Sequence, residues 1–173
     1  MALAKTKKRK IRKKLFSNAR PSVRKLQREF YSQEQINNFK KIINHDSKIY
    51  SKYDSDILII GLDEVGRGCV AGPVCTGAYS CSSFYLHGKE LLEDIIRSRE
   101  LTLLLLEDSK KVPHAKREKL CDSLLNVPSF SPESHILYST DQHSAAQIDE
   151  LGIVKCIWSS MTENLINIVM LYF

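Results

Sequence analysis

Apolar residues recur along this chain with three different periods. From Val23 to Asn44 they fall at Val23, Leu26, Phe30, Ile36, Phe39 and Ile43, a roughly helical spacing with a break near Ser32. Ser32 followed three residues later by Gln35 has the form of a capping box, which opens a helix. Ile57-Leu58-Ile59-Ile60 is continuously apolar and predicts a buried central strand from Ile57 to Glu64. Gly66 and Gly68 then turn the chain into a second strand, about Val70 to Ser80, in which Pro73 suits a bulge or an edge position. Gly88 to Leu106 reads as a helical insertion with leucines on one face. Asp108 to Lys111 reads as a loop, and Pro113 sits near the first position of a helix that runs to about Asn126. After a turn at Pro128 to Pro132, Ser134 to Thr140 alternates around Ile136 and Tyr138 as a third strand. Ser144 with Gln147 makes a second capping box. It opens one long helix with apolar positions at Ile148, Leu151, Val154, Ile157, Met161, Leu165 and Ile168.

Charge divides the chain in two. Among its 173 residues no acidic side chain precedes Glu29, whereas Lys5, Lys7, Lys8, Arg9, Lys10, Arg12, Lys13, Lys14, Arg20, Arg24, Lys25 and Arg28 all do. That segment carries +12, leaving 14 basic against 20 acidic residues in the remainder. The net +6 is therefore a basic arm on a mildly acidic body, and such an arm binds polyanions, nucleic acid above all. The expected division is a basic N-terminal extension with short accessory helices over residues 1–56, then a body over residues 57–173. Cys69, Cys75, Cys81, Cys121 and Cys156 are odd in number and form no Cys-x-x-Cys pair. They read as free, mostly buried thiols in a reducing compartment, the cytoplasm, and support neither a disulfide framework nor a zinc site. No apolar stretch is long enough to span a bilayer, so no membrane partner is expected.

The candidate chemistry lies in Gly61-Leu62-Asp63-Glu64-Val65-Gly66-Arg67-Gly68, followed by Ala71-Gly72-Pro73-Val74. Two carboxylates at the end of an apolar strand are costly without a partner, and a divalent cation is the usual partner for clustered Asp and Glu oxygens. A turn with two glycines lets its backbone approach a ligand closely, and Arg67 adds a planar fork suited to phosphate. Carboxylates beside a phosphate-reading turn point to metal-assisted phosphodiester chemistry. Neighbouring residues of a regular strand face opposite ways, so Asp63 and Glu64 converge only if the following turn relaxes the strand.

This string resembles the first signature of the ribonuclease HII family, type 2 ribonuclease H. Three further segments resemble that family in the same order. They are Asp108-Ser109-Lys110-Lys111, then Lys116-Arg117-Glu118-Lys119-Leu120, then Ile148-Asp149-Glu150-Leu151-Gly152-Ile153, where the family more usually has Asn at the position of Gly152. The resemblance runs from Gly61 to Ile153 and leaves out residues 1–56. It implies an α/β ribonuclease H-like fold, here incomplete, with a mixed sheet and flanking helices. It implies hydrolysis of the RNA strand of RNA–DNA hybrids and nicking of duplex DNA at embedded ribonucleotides, by a monomer that uses Mn²⁺ or Mg²⁺. Asp63 would bridge two ions and Glu64 hold one. Gly66, Arg67 and Gly68 would contact the ribonucleotide 2′-hydroxyl and nearby phosphates. Ser109, Lys110 and Lys111 would contact the nucleic-acid backbone. The family's two remaining catalytic aspartates and its substrate-contacting tyrosine would fall beyond Phe173. Weak or absent activity is therefore expected, and a non-catalytic nucleic-acid-binding remnant is the alternative reading.

Overall fold

The computed structural model describes residues 32–53, 57–69, 71–98 and 101–173. The basic arm and the helix start expected at Val23 lie outside the described residues. The elements run α1 (Gln33–Tyr50), β1 (Gly61–Val65), β2 (Val74–Cys81), α2 (Ser82–Leu86), α3 (Gly88–Ser98), a 3-10 helix (Leu101–Leu105), α4 (His114–Leu124), β3 (Ile136–His143), α5 (Ala145–Leu151) and α6 (Ile153–Tyr172). The three strands form one sheet in the order β1-β2-β3, antiparallel throughout. They are the antiparallel part of the mixed sheet that the family resemblance implies. No helix among the described residues is long and apolar enough to cross a membrane.

Both capping boxes are present. Ser32 and Ser144 each accept from the backbone N–H three residues on, and the Gln35 and Gln147 side chains reach back to the cap backbone. Several expected boundaries move. The first strand is Gly61–Val65, and Ile57 to Ile60 lie outside it, half-buried. The reason is pairing. Tyr79 is the last β2 residue opposite β1, at Gly61; Ser80 and Cys81 pair only with β3; and at Ser82 the chain turns into α2. The apolar run therefore has no strand beside it. The second strand begins after Pro73 rather than at Val70, and the third is shifted to Ile136–His143. The helical insertion is α3 followed by the 3-10 helix, preceded by α2, which the sequence does not announce because its cap residue Cys81 makes no side-chain cap bond. The single long helix after Ser144 is two helices. Gly152 breaks it at φ +82°, a conformation outside the right-handed helix that glycine adopts without a Cβ penalty.

The apolar core lies in the helical layer on one side of the sheet. Ile36, Phe39 and Ile43 of α1 pack with Phe84 of α2, Leu91, Leu92, Ile95 and Ile96 of α3, Leu103 and Leu104, and Leu120 of α4. Phe39 and Phe84 meet edge to face at 6.1 Å, a preferred aromatic geometry. The other side of the sheet is covered by α6, and this contact is largely polar. Asn164 is fully buried. Its Nδ2 donates to Thr76 Oγ1 at 2.8 Å, and its Oδ1 accepts from Ser139 Oγ at 2.8 Å. Buried Ser160 donates to Asp141 Oδ2 at 2.8 Å, and His143 Nδ1 lies 2.9 Å from its hydroxyl.

Candidate functional site

Asp63 and Glu64 sit in the middle of β1, opposite Gly77 and Thr76 of β2. The strand register is unbroken from Gly61 to Val65, so the two carboxylates stand on opposite faces of the sheet. The relaxation that could bring them together does not reach them, because the glycine turn begins only at Gly66. Glu64 shares its face with Thr76 and Asp141, the side covered by α6. Asp63 faces the helical layer, in a row with Gly77 and Thr140. A side chain built at Gly77 would meet nothing within 4 Å, so the space beside Asp63 is open. The Asp63 carboxylate is exposed and accepts from the Glu64 N–H at 2.8 Å.

The turn that follows is held by geometry rather than by apolar packing. Gly66 adopts φ +98°, and a Cβ there would collide with the Pro73 carbonyl oxygen. No other residue fits. Gly68 has nothing within 4 Å of its Cβ position, so its smallness leaves open surface. Arg67 is exposed, with Nη1 3.5 Å from Glu64 Oε1. Cys69 donates its thiol to the Gly66 carbonyl at 2.8 Å and closes the turn. The expectation of mostly buried cysteines fails here. Cys69 and Cys121 are exposed and Cys75 is half-buried, leaving only Cys81 and Cys156 inside. All five thiols are free.

Asp108, Ser109, Lys110 and Lys111 form an exposed turn, as expected. Asp108 accepts from the Lys110 N–H at 3.0 Å through Oδ1, and from the Lys111 N–H at 2.9 Å through its carbonyl. Arg117 of α4 braces the segment by donating to the Ser109 and Val112 carbonyls at 3.2 and 2.6 Å. Lys111 pairs with Glu107 at 3.7 Å. Among the described residues no hydrogen bond or ion pair joins this turn to β1 or to the Gly66–Gly68 turn.

Asp63 opens onto a groove of ≈ 780 Å³ between the sheet and the helical layer, a feature that the sequence did not announce. Ile42 and Ile49 of α1, Ile59 and Ile60, Tyr79, and Leu124 of α4 line it. Tyr79 donates its phenol to the Leu124 carbonyl at 2.7 Å, and burial pushes its ionisation well above the usual value. The carboxylate oxygens of Asp63 and Glu64 suit a hard divalent ion. Their arrangement does not enclose one. The two face apart, and among the described residues no group of three or more His, Cys, Asp or Glu could hold a metal ion.

Comparison with known proteins gives a consistent result. The sequence model of the family Ribonuclease HII matches residues 60–170. The chain is 30% identical over 154 residues to a Ribonuclease HII of Shouchella clausii, covering 86% of this chain and 50% of the relative. It is 36% identical over 110 residues to one of Aliarcobacter butzleri, covering 64% and 44%. It is 32% identical over 158 residues to one of Bacillus cereus, covering 82% and 53%. The chain thus spans about half the length of the curated relatives it matches. No solved structure matches it significantly. The family match runs through the whole sheet, the glycine turn, α5 and most of α6, and on that ground the chain belongs to the ribonuclease HII family.

Proposed function

We propose that this chain serves an endonuclease that hydrolyses the RNA strand of RNA–DNA hybrids and nicks duplex DNA at embedded ribonucleotides. The observation that carries the reading is the juxtaposition of Asp63, exposed beside open space at Gly77, with a turn whose shape only glycine at position 66 permits. In this reading the backbone of the Gly66–Gly68 turn meets the 2′-hydroxyl, the group that distinguishes RNA from DNA, while exposed Arg67 draws the adjacent phosphate. Ser109, Lys110 and Lys111 hold the nucleic-acid backbone farther along. Mn²⁺ or Mg²⁺ is the expected cofactor, supplying charge stabilisation at the phosphodiester, with Asp63 and Glu64 as its ligands. Because these two carboxylates face apart and no third donor stands with them among the described residues, the chain by itself is expected to cleave weakly or not at all. That same observation favours a second reading, binding of hybrid duplexes without cleavage.

The test is incubation of a DNA duplex carrying one ribonucleotide with the protein and Mn²⁺ or Mg²⁺, beside Asp63→Asn, which keeps the shape and removes the charge. Nicking 5′ of the ribonucleotide that Asp63→Asn abolishes supports the nuclease. Salt-sensitive binding of the hybrid without nicking, by protein with a cooperative melt, supports the binding reading and sinks the first.

A further inference from the structure

Helix α1 and the Asp108–Lys111 turn meet at a small recess to which the catalytic reading gives no role. Gln35 and Asn38 of α1, Glu107, Lys111 and Lys116 of α4 are among its lining residues, and its volume is ≈ 100 Å³. Small-molecule sites run to roughly 300–1,000 Å³, so this one takes a single chemical group rather than a whole ligand. Gln35 and Asn38 stand three residues apart and share a face of α1. Gln35 Oε1 accepts from the Ser32 N–H at 3.1 Å, which leaves its Nε2 as the free donor end. Asn38 is half-buried and Lys116 exposed. Among the described residues no hydrogen bond or ion pair engages Gln35 Nε2, the Asn38 side chain or the Lys116 ammonium. Lys111 pairs with Glu107 at 3.7 Å, so two lysines against one carboxylate leave the rim net positive.

Unengaged amide donors and an ammonium on a net positive rim select an oxyanion, and side-chain amides and lysines are common phosphate contacts in nucleic-acid complexes. Lys111 belongs both to the recess and to the turn that the proposed function sets on the nucleic-acid backbone. The group that fits is therefore a phosphodiester of the same strand. We propose that Gln35, Asn38 and Lys116 form a phosphate subsite that holds the strand one phosphate beyond the Ser109–Lys111 contact. The inference rests on the nucleic-acid reading above and is independent of cleavage. Helix α1 lies outside residues 60–170 of the family match, so the subsite extends the substrate track onto an element that this match does not cover.

Binding of an RNA–DNA hybrid by the full chain is followed by fluorescence anisotropy through a salt series, with a chelator present so that no cleavage occurs. Lys116→Gln is expected to lower the logarithmic salt slope by about 0.9, the share of one phosphate. Asn38→Asp sets a carboxylate against that phosphate and is expected to weaken binding roughly tenfold, with the far-ultraviolet circular dichroism unchanged. Lys119→Gln is the control, since Lys119 is exposed on α4 and does not line the recess. Equal losses for Lys116→Gln and Lys119→Gln would mean a diffuse attraction and overturn the subsite. Should Asn38→Asp fail to fold, the Asn38 side-chain amide resonance of the unmodified chain is followed as hybrid is added. A shift supports the contact, and an unmoved resonance overturns it. Binding that Lys111→Gln weakens while Lys116→Gln and Asn38→Asp leave it untouched sinks the subsite and keeps the nucleic-acid reading. A folded chain without salt-sensitive binding of the hybrid sinks both.

Discussion

Gly66 is the position where one added carbon does most damage. Its positive φ and the Pro73 carbonyl oxygen beside it both exclude a side chain. Gly66→Ala is expected to cost at least about 1–3 kcal/mol, whereas Gly68→Ala, with open space at its Cβ, should stay within about 0.5 kcal/mol. Urea unfolding of the two variants side by side checks this, and equal losses would mean the turn has another shape. Tyr79 and Tyr85 bear on alkaline stability. Burial raises both phenols, Tyr85 to about 12, against an ordinary 10.0. The unfolded chain therefore releases these protons at lower pH than the folded one. Their contribution is fully present below pH 10.0 and is lost as pH rises through the folded values. Melting temperature is expected to fall above that point. Tyr79→Phe should flatten the fall while costing about 1 kcal/mol at neutral pH for its bond to the Leu124 carbonyl. At this scale the Asp63-Glu64 pair and the glycine turn were legible because they are contiguous in sequence. Cysteine exposure was not, because Cys69 and Cys121 owe their surface positions to a turn and a helix face that only the assembled fold defines.

Among the elements, α6 departs furthest from its hydrophobic pattern. Periodicity chose Val154, Ile157, Met161, Leu165 and Ile168 for one inward face, yet Val154 is exposed, Ile157, Met161 and Leu165 are only half-buried, and Ile168 shares the buried ridge with Ser160 and Asn164. The sheet explains the rotation. The surface under α6 offers Thr76, Ser139 and Asp141, so hydrogen bonding rather than apolar burial sets which ridge faces inward. Asn164→Ala should cost about 1–3 kcal/mol, since it strands the buried Thr76 hydroxyl; a loss of only a few tenths in chemical denaturation would refute this account. The capping boxes were legible because they are local chemistry. The end of β1 was not, because an apolar run becomes a strand only where a neighbour offers backbone groups, and β2 has none to give beyond Tyr79. Amide exchange follows directly: Ile57 to Ile60 should exchange quickly and Val74 to Cys81, paired on both sides, slowly. Equal protection would place a further strand beside Ile57 to Ile60.

For the molecule as a whole, the family resemblance carried by four ordered motifs made the α/β class readable, whereas the place of the core was not. It sits among α1 to α4 rather than around the sheet, and the pairing of distant helices leaves no periodic trace. The charge division belongs to this scale too. Removing the acid-free segment before Glu29 should lower the salt dependence of nucleic-acid binding, because each neutralised phosphate adds about 0.9 to the logarithmic slope on duplex DNA. An unchanged slope would assign binding to the body instead. The polar seat of α6 has a consequence for assembly. Asn164 and Ser160, one turn apart, engage partners on two different strands. Sliding the helix by a single residue breaks these bonds together. Greasy interfaces tolerate several nearly equal seatings, whereas this one has a single fit. Helix α6 therefore works as a proofreader: its hydrogen bonds form only on strands already paired in the right register, and a misregistered sheet leaves them unmade.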